Sequence, residues 1–389
     1  MTRTRIKILH VLPYLREGGV EKRRAFLAEH LDTTRFEQRI VCFEASAGMK
    51  RVFARAGVEV KEIGPPSRWP VVLDLSAIYS VWKEIRLYRP AIVHAAVFEG
   101  MYLGGMAHIC RYVLERIAGH RQVLLLEETS DLYNHPRSYA MRCVLRTIGL
   151  FANGYVAISP PVREYLVAEQ KIPEHKAVMV LNAVPVPRTR TRRQNDAERK
   201  RLGIPPDAFV VGSVGRLDNA HKRFTDVIDA FERVARLSPR AWLLIVGDGP
   251  DRALLERHAR QRGVADRTVF AGYVEQVDPL YGAMDVFVLA SAHEGFGLVI
   301  AEAMMHALPV VATNVGGVPS LIRGGETGVL VGVGDSHAIA SAIGELRVLP
   351  EIRRQIGTRA RTFARRELSL KRYIRDVADL YEQTLAPTV

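Results

Sequence analysis

The sequence has few cysteines, few aromatic residues and no long apolar run. Three of its 389 residues are cysteines, at Cys42, Cys110 and Cys143, and no Cys-x-x-Cys pair occurs. This spacing excludes a disulfide framework and a cysteine-based zinc site, and it favours buried thiols in a reducing compartment. No run reaches the eighteen apolar residues that predict a membrane helix. We expect a cytoplasmic protein, or one peripheral to the inner face of the cytoplasmic membrane.

The composition is globular, with a strong excess of positive charge. Hydrophobic residues make up 48% of the chain, and 55 lysines and arginines against 42 acidic residues give a net charge of +13. Such a charge favours an anionic partner. No zinc finger, RNA-recognition strand or basic zipper accompanies it, so we expect no nucleic acid partner. An anionic membrane surface is the preferred partner, and generally solvated charges are the alternative.

Strand-like apolar runs alternate with helical patterns in both halves of the chain. They fall at residues 6–12, 39–43, 58–63, 92–94, 123–126 and 154–158, and again at 209–214, 241–246, 268–270, 286–289, 310–313 and 328–331. This alternation predicts a doubly wound parallel sheet in each half, with ligands at the carboxyl ends of the strands. The fold class is therefore α/β, with two Rossmann-like domains.

A break in composition separates the two halves. Pro185 and Pro187 lead into a polar, basic run that cannot bury a core, so residues 186–200 are predicted to be a linker. The N-terminal domain is then residues 1–185 and the C-terminal domain residues 201–364. A length of 389 residues is enough for two such cores.

Two glutamates around a glycine turn form the most informative motif. Glu294 follows the strand at 286–289, Gly295 and Gly297 leave backbone N–H groups accessible, and Glu302 falls two turns into the next helix. A helix N-terminus is a ready phosphate site, and carboxylates accept hydrogen bonds from sugar and ribose hydroxyls. The motif predicts a nucleotide-sugar pocket. The alternative is a strand–loop–helix crossover with two solvated glutamates.

Seven motifs in a fixed order resemble the retaining glycosyltransferases of the GT-B architecture, in particular their large family four. They are Gly18-Gly19-Val20-Glu21, Gly215-Arg216-Leu217 with Lys222, Val246-Gly247-Asp248-Gly249-Pro250, Phe270-Ala271-Gly272-Tyr273, Glu294 to Glu302, Pro309-Val310-Val311-Ala312-Thr313 and Gly316-Gly317-Val318-Pro319. The resemblance implies two domains facing across a cleft, with the last segment, 365–389, crossing back to the first domain. It also implies transfer of a sugar from a nucleotide diphosphate to a glycan, lipid-linked or small-molecule acceptor, in glycolipid or surface polysaccharide synthesis.

The resemblance also assigns roles to individual residues. Arg216 and Lys222 would hold the two phosphates of the donor and neutralise the leaving diphosphate. Glu294 would lie near the transferred sugar, and Glu302 would take the ribose hydroxyls. The base would rest near Gly272 and Tyr273. Backbone N–H groups would contact the donor at Gly18, Gly19, Gly295, Phe296, Gly297 and Leu298.

The chain contains no Asp-x-Asp sequence, the pattern that holds a divalent metal in the other main glycosyltransferase architecture. We therefore expect no metal and no cofactor, with cations and helix N–H groups replacing the ion. Retention of the anomeric configuration is the expected stereochemistry. Attack from the front face is favoured, with a donor phosphate oxygen accepting the acceptor proton.

The chain departs from the family pattern on the acceptor side. Many members carry a histidine where this chain has Glu127 and Glu128, and His94 is the first histidine of a His-x-His whose second is missing. These three residues are candidates for contact with acceptor or sugar. Ser320 replaces a usual glutamate. The alternatives are a GT-B-fold epimerase or phosphorylase, and a non-catalytic nucleotide-sugar-binding relative.

Two histidines and one basic segment outside the motifs also carry expectations. His293 and His306 lie near the glutamates, and we expect both to be packed or hydrogen-bonded rather than catalytic. Residues 137–151 alternate arginines with apolar residues. This pattern is typical of a basic amphipathic helix at a lipid surface, or of an ordinary helix with one buried face.

Overall fold

The structure is a computed structural model that describes residues 5–16, 18–64, 74–115, 122–129 and 139–386. It divides into two compact units. Unit 1 comprises the described residues of Met1–Asn182 and Leu370–Val389, and unit 2 comprises Ala183–Ser369.

Unit 1 is built on a parallel sheet of seven strands. The strands are β1 (Ile6–Val11), β3 (Phe36–Cys42), β5 (Glu59–Glu62), β6 (Ile92–Ala96), β7 (Val123–Glu128), β8 (Gly154–Ala157) and β9 (Ala177–Met179), and a small second sheet pairs β2 (Tyr14–Leu15) with β4 (Glu44–Ala45). The helices are α1 (Gly19–His30), α2 (Ala47–Arg55), α3 (Leu75–Tyr88), α4 (Phe98–Glu115), α5 (Tyr139–Phe151) and α6 (Pro160–Glu164). The strand order is β5-β3-β1-β6-β7-β8-β9, so the winding direction reverses between β1 and β6.

Unit 2 repeats this plan with six parallel strands. They are β10 (Phe209–Val214), β11 (Ala241–Val246), β12 (Thr268–Phe270), β13 (Val286–Leu289), β14 (Val310–Thr313) and β15 (Gly328–Val331). The helices are α7 (Arg192–Arg201), α8 (Asn219–Lys222), α9 (Phe224–Leu237), α10 (Arg252–Gln261), α11 (Asp278–Gly282), α12 (Leu298–Met305), α13 (Val318–Leu321), α14 (Ser336–Val348) and α15 (Pro350–Glu367). The order β12-β11-β10-β13-β14-β15 reverses direction between β10 and β13.

The strands form where they do because both faces of a parallel sheet are covered. All residues of β7 and β13 are buried, as expected for β13 and for the first four residues of β7, which are continuous apolar runs. The core of unit 2 joins α9 and α14 to the central strands through side chains such as Phe231, Leu243 and Ile343, each completely buried.

The C-terminal helix α16 (Leu370–Leu385) returns to unit 1. Arg372 in its first turn donates to the carbonyl oxygen of Leu181 at 2.6 Å, and the Tyr381 hydroxyl lies 2.8 Å from His94 Nδ1. The residues 365–369, which open the expected crossover segment, lie in unit 2, where α15 continues to Glu367.

A helix occupies part of the segment predicted as a linker. Helix α7 begins with a capping box, in which Gln194 N donates to Thr191 Oγ1 and Thr191 N donates to Gln194 Oε1. Arg199 fastens the helix to unit 2 through the Ala283 carbonyl oxygen and Asp285, both at 2.9 Å. The amino-acid composition did not predict α7, because this helix packs through the guanidinium group of Arg199 and has no apolar stripe.

The cysteines differ in their environments. Cys42 is buried, as expected, but Cys143 is exposed and Cys110 is intermediate. Because Cys143 lies on α5 at a solvent-facing position, the expectation of buried thiols is wrong for this residue.

Close packing of α15 against the turn that follows α12 makes a glycine necessary at position 357. A Cβ at Gly357 would overlap the carbonyl oxygen of Ala307, whereas Gly344 in α14 faces open space. We expect Gly357→Ala to lower the free energy of unfolding by about 1–3 kcal/mol, because backbone must move to admit the methyl group. Gly344→Ala is the matched control and should be neutral or stabilising by up to about 1 kcal/mol. Urea unfolding checks both, and equal effects would contradict the packing.

Candidate functional site

Six loops follow the carboxyl ends of the six strands of unit 2. Because all these strands are parallel, the loops share one edge of the sheet. Three of them, after β10, β13 and β14, flank or adjoin the point where the winding reverses. Ligands of open α/β sheets bind at this kind of position.

Lys222 and Glu294 meet at this edge. Lys222 Nζ lies 2.6 Å from Glu294 Oε2, which also accepts from Ser291 Oγ at 3.4 Å. The two side chains are 19% and 16% exposed. The structure thus joins two predicted catalytic residues in one ion pair that solvent can still reach.

Main-chain hydrogen bonds tie the loops around this pair. Ala292 N donates to the His221 carbonyl oxygen at 2.9 Å, and Gly317 N donates to the Glu294 carbonyl oxygen at 2.8 Å. Lys222 N donates in turn to the carbonyl oxygen of Asp218 at 2.8 Å. The positions of the ammonium and the carboxylate are therefore fixed by backbone as well as by their attraction.

Arg216 follows β10 and is exposed. Its guanidinium group makes no ion pair with any residue that the structure describes. The carbonyl oxygen of Arg216 accepts from Asp218 N at 2.8 Å, which bends the loop toward α8. Arg216 is thus a cation at the same edge, available to an anion from solvent.

The turn before α12 depends on two glycines. Gly297 caps the helix with φ of 94°, a left-handed conformation that favours glycine. A Cβ at Gly317 would overlap the carbonyl oxygen of Gly295, so the two loops pass in close contact. Phe296 is buried beneath the turn, and Leu298 begins the helix. The first N–H groups of α12 lack intrahelical acceptors and carry the positive end of its dipole.

Glu302 is held by Tyr281, which sequence reasoning missed. The Tyr281 hydroxyl donates to Glu302 Oε2 at 2.7 Å. Burial, together with Glu302, holds the pKa of this hydroxyl well above its ordinary value, so it stays a donor. Tyr281 stacks on His306, which lies 3.1 Å from Asp278 Oδ1, and the expected packing of His306 is confirmed. No sequence pattern links α11 to α12, so the pair emerges only from the fold.

Gly272 and Tyr273 follow β12 at the same edge. The Gly272 carbonyl oxygen accepts from Gly247 N at 2.9 Å, and Tyr273 is 63% exposed. The Arg252 guanidinium lies 3.3 Å from where a Cβ on Gly272 would be, and Arg252 Nε donates to Glu256 at 2.9 Å. A cation beside these glycines is a second feature that the motifs did not indicate.

In unit 1, Gly18 caps α1, of which Gly19 is the first residue. A side chain at Gly18 would overlap the carboxylate of Glu21, which folds back over the turn. Burial raises the pKa of Glu21 above its ordinary value. A carboxylate therefore lies against the predicted anion-binding turn of this unit.

The acceptor-side candidates Glu127 and His94 belong to a buried charge cluster. Glu127 lies 2.5 Å from Arg23, 2.7 Å from Arg24 and 3.1 Å from His94 Nε2, with every one of these side chains at most 2% exposed. Burial alone would raise the pKa of Glu127, but the charges of Arg23 and Arg24 hold this pKa well below its ordinary value. Burial lowers the pKa of His94 to about 4.

The cluster gives Glu127 and His94 internal partners. Glu128 is buried beside it and accepts from Thr129 N at 3.1 Å. Contact of these three residues with an acceptor or sugar stays a prediction. Arg23 and Arg24 were not singled out from the sequence, because a basic run at a helix start reads as solvated charge.

No group of three or more His, Cys, Asp or Glu side chains among the residues that the structure describes could hold a metal ion. None of the helices in that part of the chain is long and apolar enough to cross a membrane.

Helix α5 covers most of the segment 137–151 that was considered for lipid contact. Leu145 and Ile148 are buried, whereas Leu150 is 79% exposed. Arg146 is exposed, and Arg137 lies outside the described residues. The helix therefore has the buried face of the alternative interpretation, and Leu150 is an exposed apolar side chain on it.

Two family models match the chain, one for each half. Residues 194–363 match the model described as glycosyl transferases group 1. Residues 17–188 match the model described as glycosyltransferase family 4.

Several relatives of known name are similar over part or most of the chain. The lipopolysaccharide core biosynthesis glycosyltransferase LpsE of Rhizobium meliloti (strain 1021) is 36% identical over 51% of this chain and 56% of the relative. The N-acetyl-alpha-D-glucosaminyl L-malate synthase of Bacillus anthracis is 34% identical over 42% of this chain and 43% of its own. These matches span about half the length of each relative. A GDP-mannose-dependent alpha-mannosyltransferase of Mycobacterium tuberculosis (strain CDC 1551 / Oshkosh) is 29% identical over 85% of this chain and 84% of its own.

Solved structures share the fold. Anabaena Alr3699/HepE, crystallised with UDP and glucose, superposes with a TM-score of 0.82 at 20% identity, covering 97% of this chain and 99% of that one. WaaG, a glycosyltransferase involved in lipopolysaccharide biosynthesis, gives 0.72 at 16% identity, covering 97% and 99%. The predicted fold class, α/β with Rossmann-like parallel sheets of the GT-B type, is confirmed.

The buried cluster of unit 1 predicts a large effect on stability. Glu127→Gln leaves two buried guanidinium groups without a counter-charge, so we expect a loss of about 3–5 kcal/mol in the free energy of unfolding. Glu382→Gln, which breaks an exposed pair with Arg35, is the control and should cost less than about 1 kcal/mol. Chemical denaturation at neutral pH measures both. Equal unfolding free energies for Glu127→Gln and the wild type would contradict the pairing.

Proposed function

The chain belongs to the group 1 glycosyltransferases, and on that premise we propose that it moves a sugar from a nucleotide-diphosphate sugar to a glycan, lipid-linked or small-molecule acceptor. The observation that carries the proposal is the Lys222–Glu294 ion pair at the reversal point of the unit 2 sheet. A cation for a diphosphate and a carboxylate for sugar hydroxyls lie there within one hydrogen bond of each other.

The leaving diphosphate is the group that needs stabilisation. As the bond between the anomeric carbon and the phosphate oxygen breaks, negative charge grows on the diphosphate. Lys222, Arg216 and the first N–H groups of α12 supply positive charge for it, and preorganised charge of this kind is usually the largest catalytic contribution. Arginine binds phosphate bidentately and lysine as a point charge. We propose that these groups do the work of a metal ion.

Glu294 acts on the transferred sugar. Its carboxylate accepts hydrogen bonds from sugar hydroxyls and stabilises positive charge at the anomeric carbon. It is the one carboxylate of the motif near that carbon, so the favoured route is attack from the front face. The acceptor oxygen then bonds to the carbon on the side that the diphosphate leaves, and a phosphate oxygen takes the acceptor proton. The anomeric configuration is retained.

Glu302 and Tyr281 bind the nucleoside. With one carboxylate oxygen held by the Tyr281 hydroxyl, Glu302 presents its charge in a fixed orientation to the two ribose hydroxyls. The base lies near Gly272 and Tyr273. UDP or GDP is the proposed nucleotide, supported by the UDP bound to the HepE neighbour and by the GDP-mannose dependence in the name of one relative.

The biological product is proposed to be a glycolipid or surface polysaccharide. Relatives and neighbours named for lipopolysaccharide synthesis support this assignment. An acceptor of this kind suits a position at the inner face of the cytoplasmic membrane, where the net charge of +13 favours anionic lipid.

Variants of the two glutamates separate donor binding from chemistry. Glu302→Gln should weaken the binding of the nucleotide sugar roughly tenfold to a hundredfold, because a charge-assisted hydrogen bond is lost. Tyr281→Phe should weaken it by about threefold through loss of orientation. Glu294→Gln should lower kcat more than it raises KM. Calorimetry and steady-state kinetics measure these effects, with the exposed Glu345→Gln as control.

Product analysis tests the reaction itself. We expect consumption of the nucleotide sugar to require an acceptor, and anomer-resolved NMR of the product to show the configuration of the donor. An inverted product would overturn front-face attack. Turnover without an acceptor would favour an epimerase, and binding with no turnover across acceptors would favour a non-catalytic relative.

A further inference from the structure

Two histidines stand beside the ion pair of unit 2. His221 immediately precedes Lys222 on α8, and His293 immediately precedes Glu294 in the loop after β13. Their ring centroids are 5.9 Å apart, with the rings tilted by 57°. The hydrogen bond from Ala292 N to the His221 carbonyl oxygen holds the two segments together. Two imidazoles therefore flank the proposed phosphate and sugar contacts.

The rings of His221 and His293 differ in their contacts from the ring of His306, the other histidine near the motif. His306 is stacked on Tyr281 and lies within hydrogen-bond distance of Asp278. Neither His221 nor His293 has a side-chain hydrogen bond to any residue that the structure describes, and both are only partly buried. The ring nitrogens of both histidines are free to bind a ligand. His293 was expected to be packed or hydrogen-bonded, and its ring contact with His221 provides the packing.

The charges at this edge leave room for one more cation. Lys222 and Glu294 neutralise each other, so the pair as a whole is neutral. A nucleotide sugar carries one negative charge on each of its two phosphates. Lys222 and Arg216 both face the diphosphate in the proposed complex, but together with Glu294 they carry a net charge of only +1 against these two negative charges. A protonated imidazole beside Lys222 would supply the second positive charge.

Four charged or titratable groups act on the imidazole of His221. Burial lowers its pKa below the ordinary value of 6.5, with further lowering by Lys222 and by His293, while Glu294 and Asp218 act in the opposite direction. Without ligand, His221 is therefore neutral at pH 7. A diphosphate nearby would favour the charged form and raise the pKa again.

We propose that His221 and His293 are donor-binding residues, and that the imidazole of His221 takes up a proton when the nucleotide sugar binds. The inference rests on the proposed function, since it needs the diphosphate at Lys222. The sign follows from linkage: a group whose pKa is higher in the complex favours binding at low pH. The gain is complete below the pKa of the free protein and is lost as pH rises through that of the complex.

Calorimetry with UDP-glucose and GDP-mannose tests the proposal. The phosphates of these ligands do not titrate near neutral pH, so proton uptake belongs to the protein. Titrations at pH 7 in two buffers of different ionisation enthalpy should show uptake of roughly half a proton per ligand bound. The Kd should rise by about threefold to tenfold between pH 6 and pH 8.

Variants assign the proton to His221. In His221→Asn, proton uptake and the pH dependence of Kd should both disappear, whereas His293→Asn should bind the ligand more weakly and keep the proton uptake. His337→Asn is the control, because His337 is exposed on α14 and should leave both unchanged. An unchanged melting temperature shows that each variant still folds. If His221→Asn lowers the melting temperature, His221→Gln is measured in the same way.

Each outcome decides the proposal. Binding with no proton uptake in the wild type, or uptake that persists in every folded variant of His221, would overturn the role of the histidines and leave the proposed function intact. If neither UDP-glucose nor GDP-mannose binds, both the role of the histidines and the proposed function are overturned.

Discussion

The ion pair between Lys222 and Glu294 is the interaction around which the unit 2 site is organised. It joins a four-residue helix after β10 to the loop after β13, across the point where the sheet changes winding direction. Before a ligand binds, Lys222 and Glu294 neutralise each other at 2.6 Å, so the free energy needed to keep the two charges in this site is small. In the proposed function, an arriving diphosphate meets a cation already in position, and the carboxylate becomes available to the sugar.

The glycines of the motif serve this arrangement. Gly297 allows the left-handed turn that starts α12, and Gly317 allows the β14 loop to lie against Gly295. Side chains at either position would separate the loops that carry Glu294 and the helix N–H groups. In unit 1 the corresponding constraint is electrostatic, because Glu127 pairs with two buried arginines of α1. The Tyr381 contact to His94 extends that cluster to α16.

The sequence predicted the strands of unit 2 to the residue, because each is a short apolar run between glycine or polar loops. It did not predict β2, β4 or β9, which have two or three residues and too little pattern. Helix α7 escaped prediction because its contacts are made by arginine. Spacing could suggest that Lys222 and Glu294 share an edge, but not that Tyr281 orients Glu302 or that Arg24 reaches Glu127. Those contacts join residues 21 and 103 positions apart and depend on tertiary packing.

The most direct test of the account is a thermal-shift series with UDP, GDP, ADP and their common sugar conjugates, in EDTA and without it. A ligand at about a hundred times its Kd adds roughly 2.7 kcal/mol, which moves the melting temperature of a chain this size by a few degrees. We expect a shift from one nucleotide and its conjugates, unaffected by EDTA and lost in Lys222→Met. A shift that EDTA abolishes, or no shift from any of these ligands, would contradict the account.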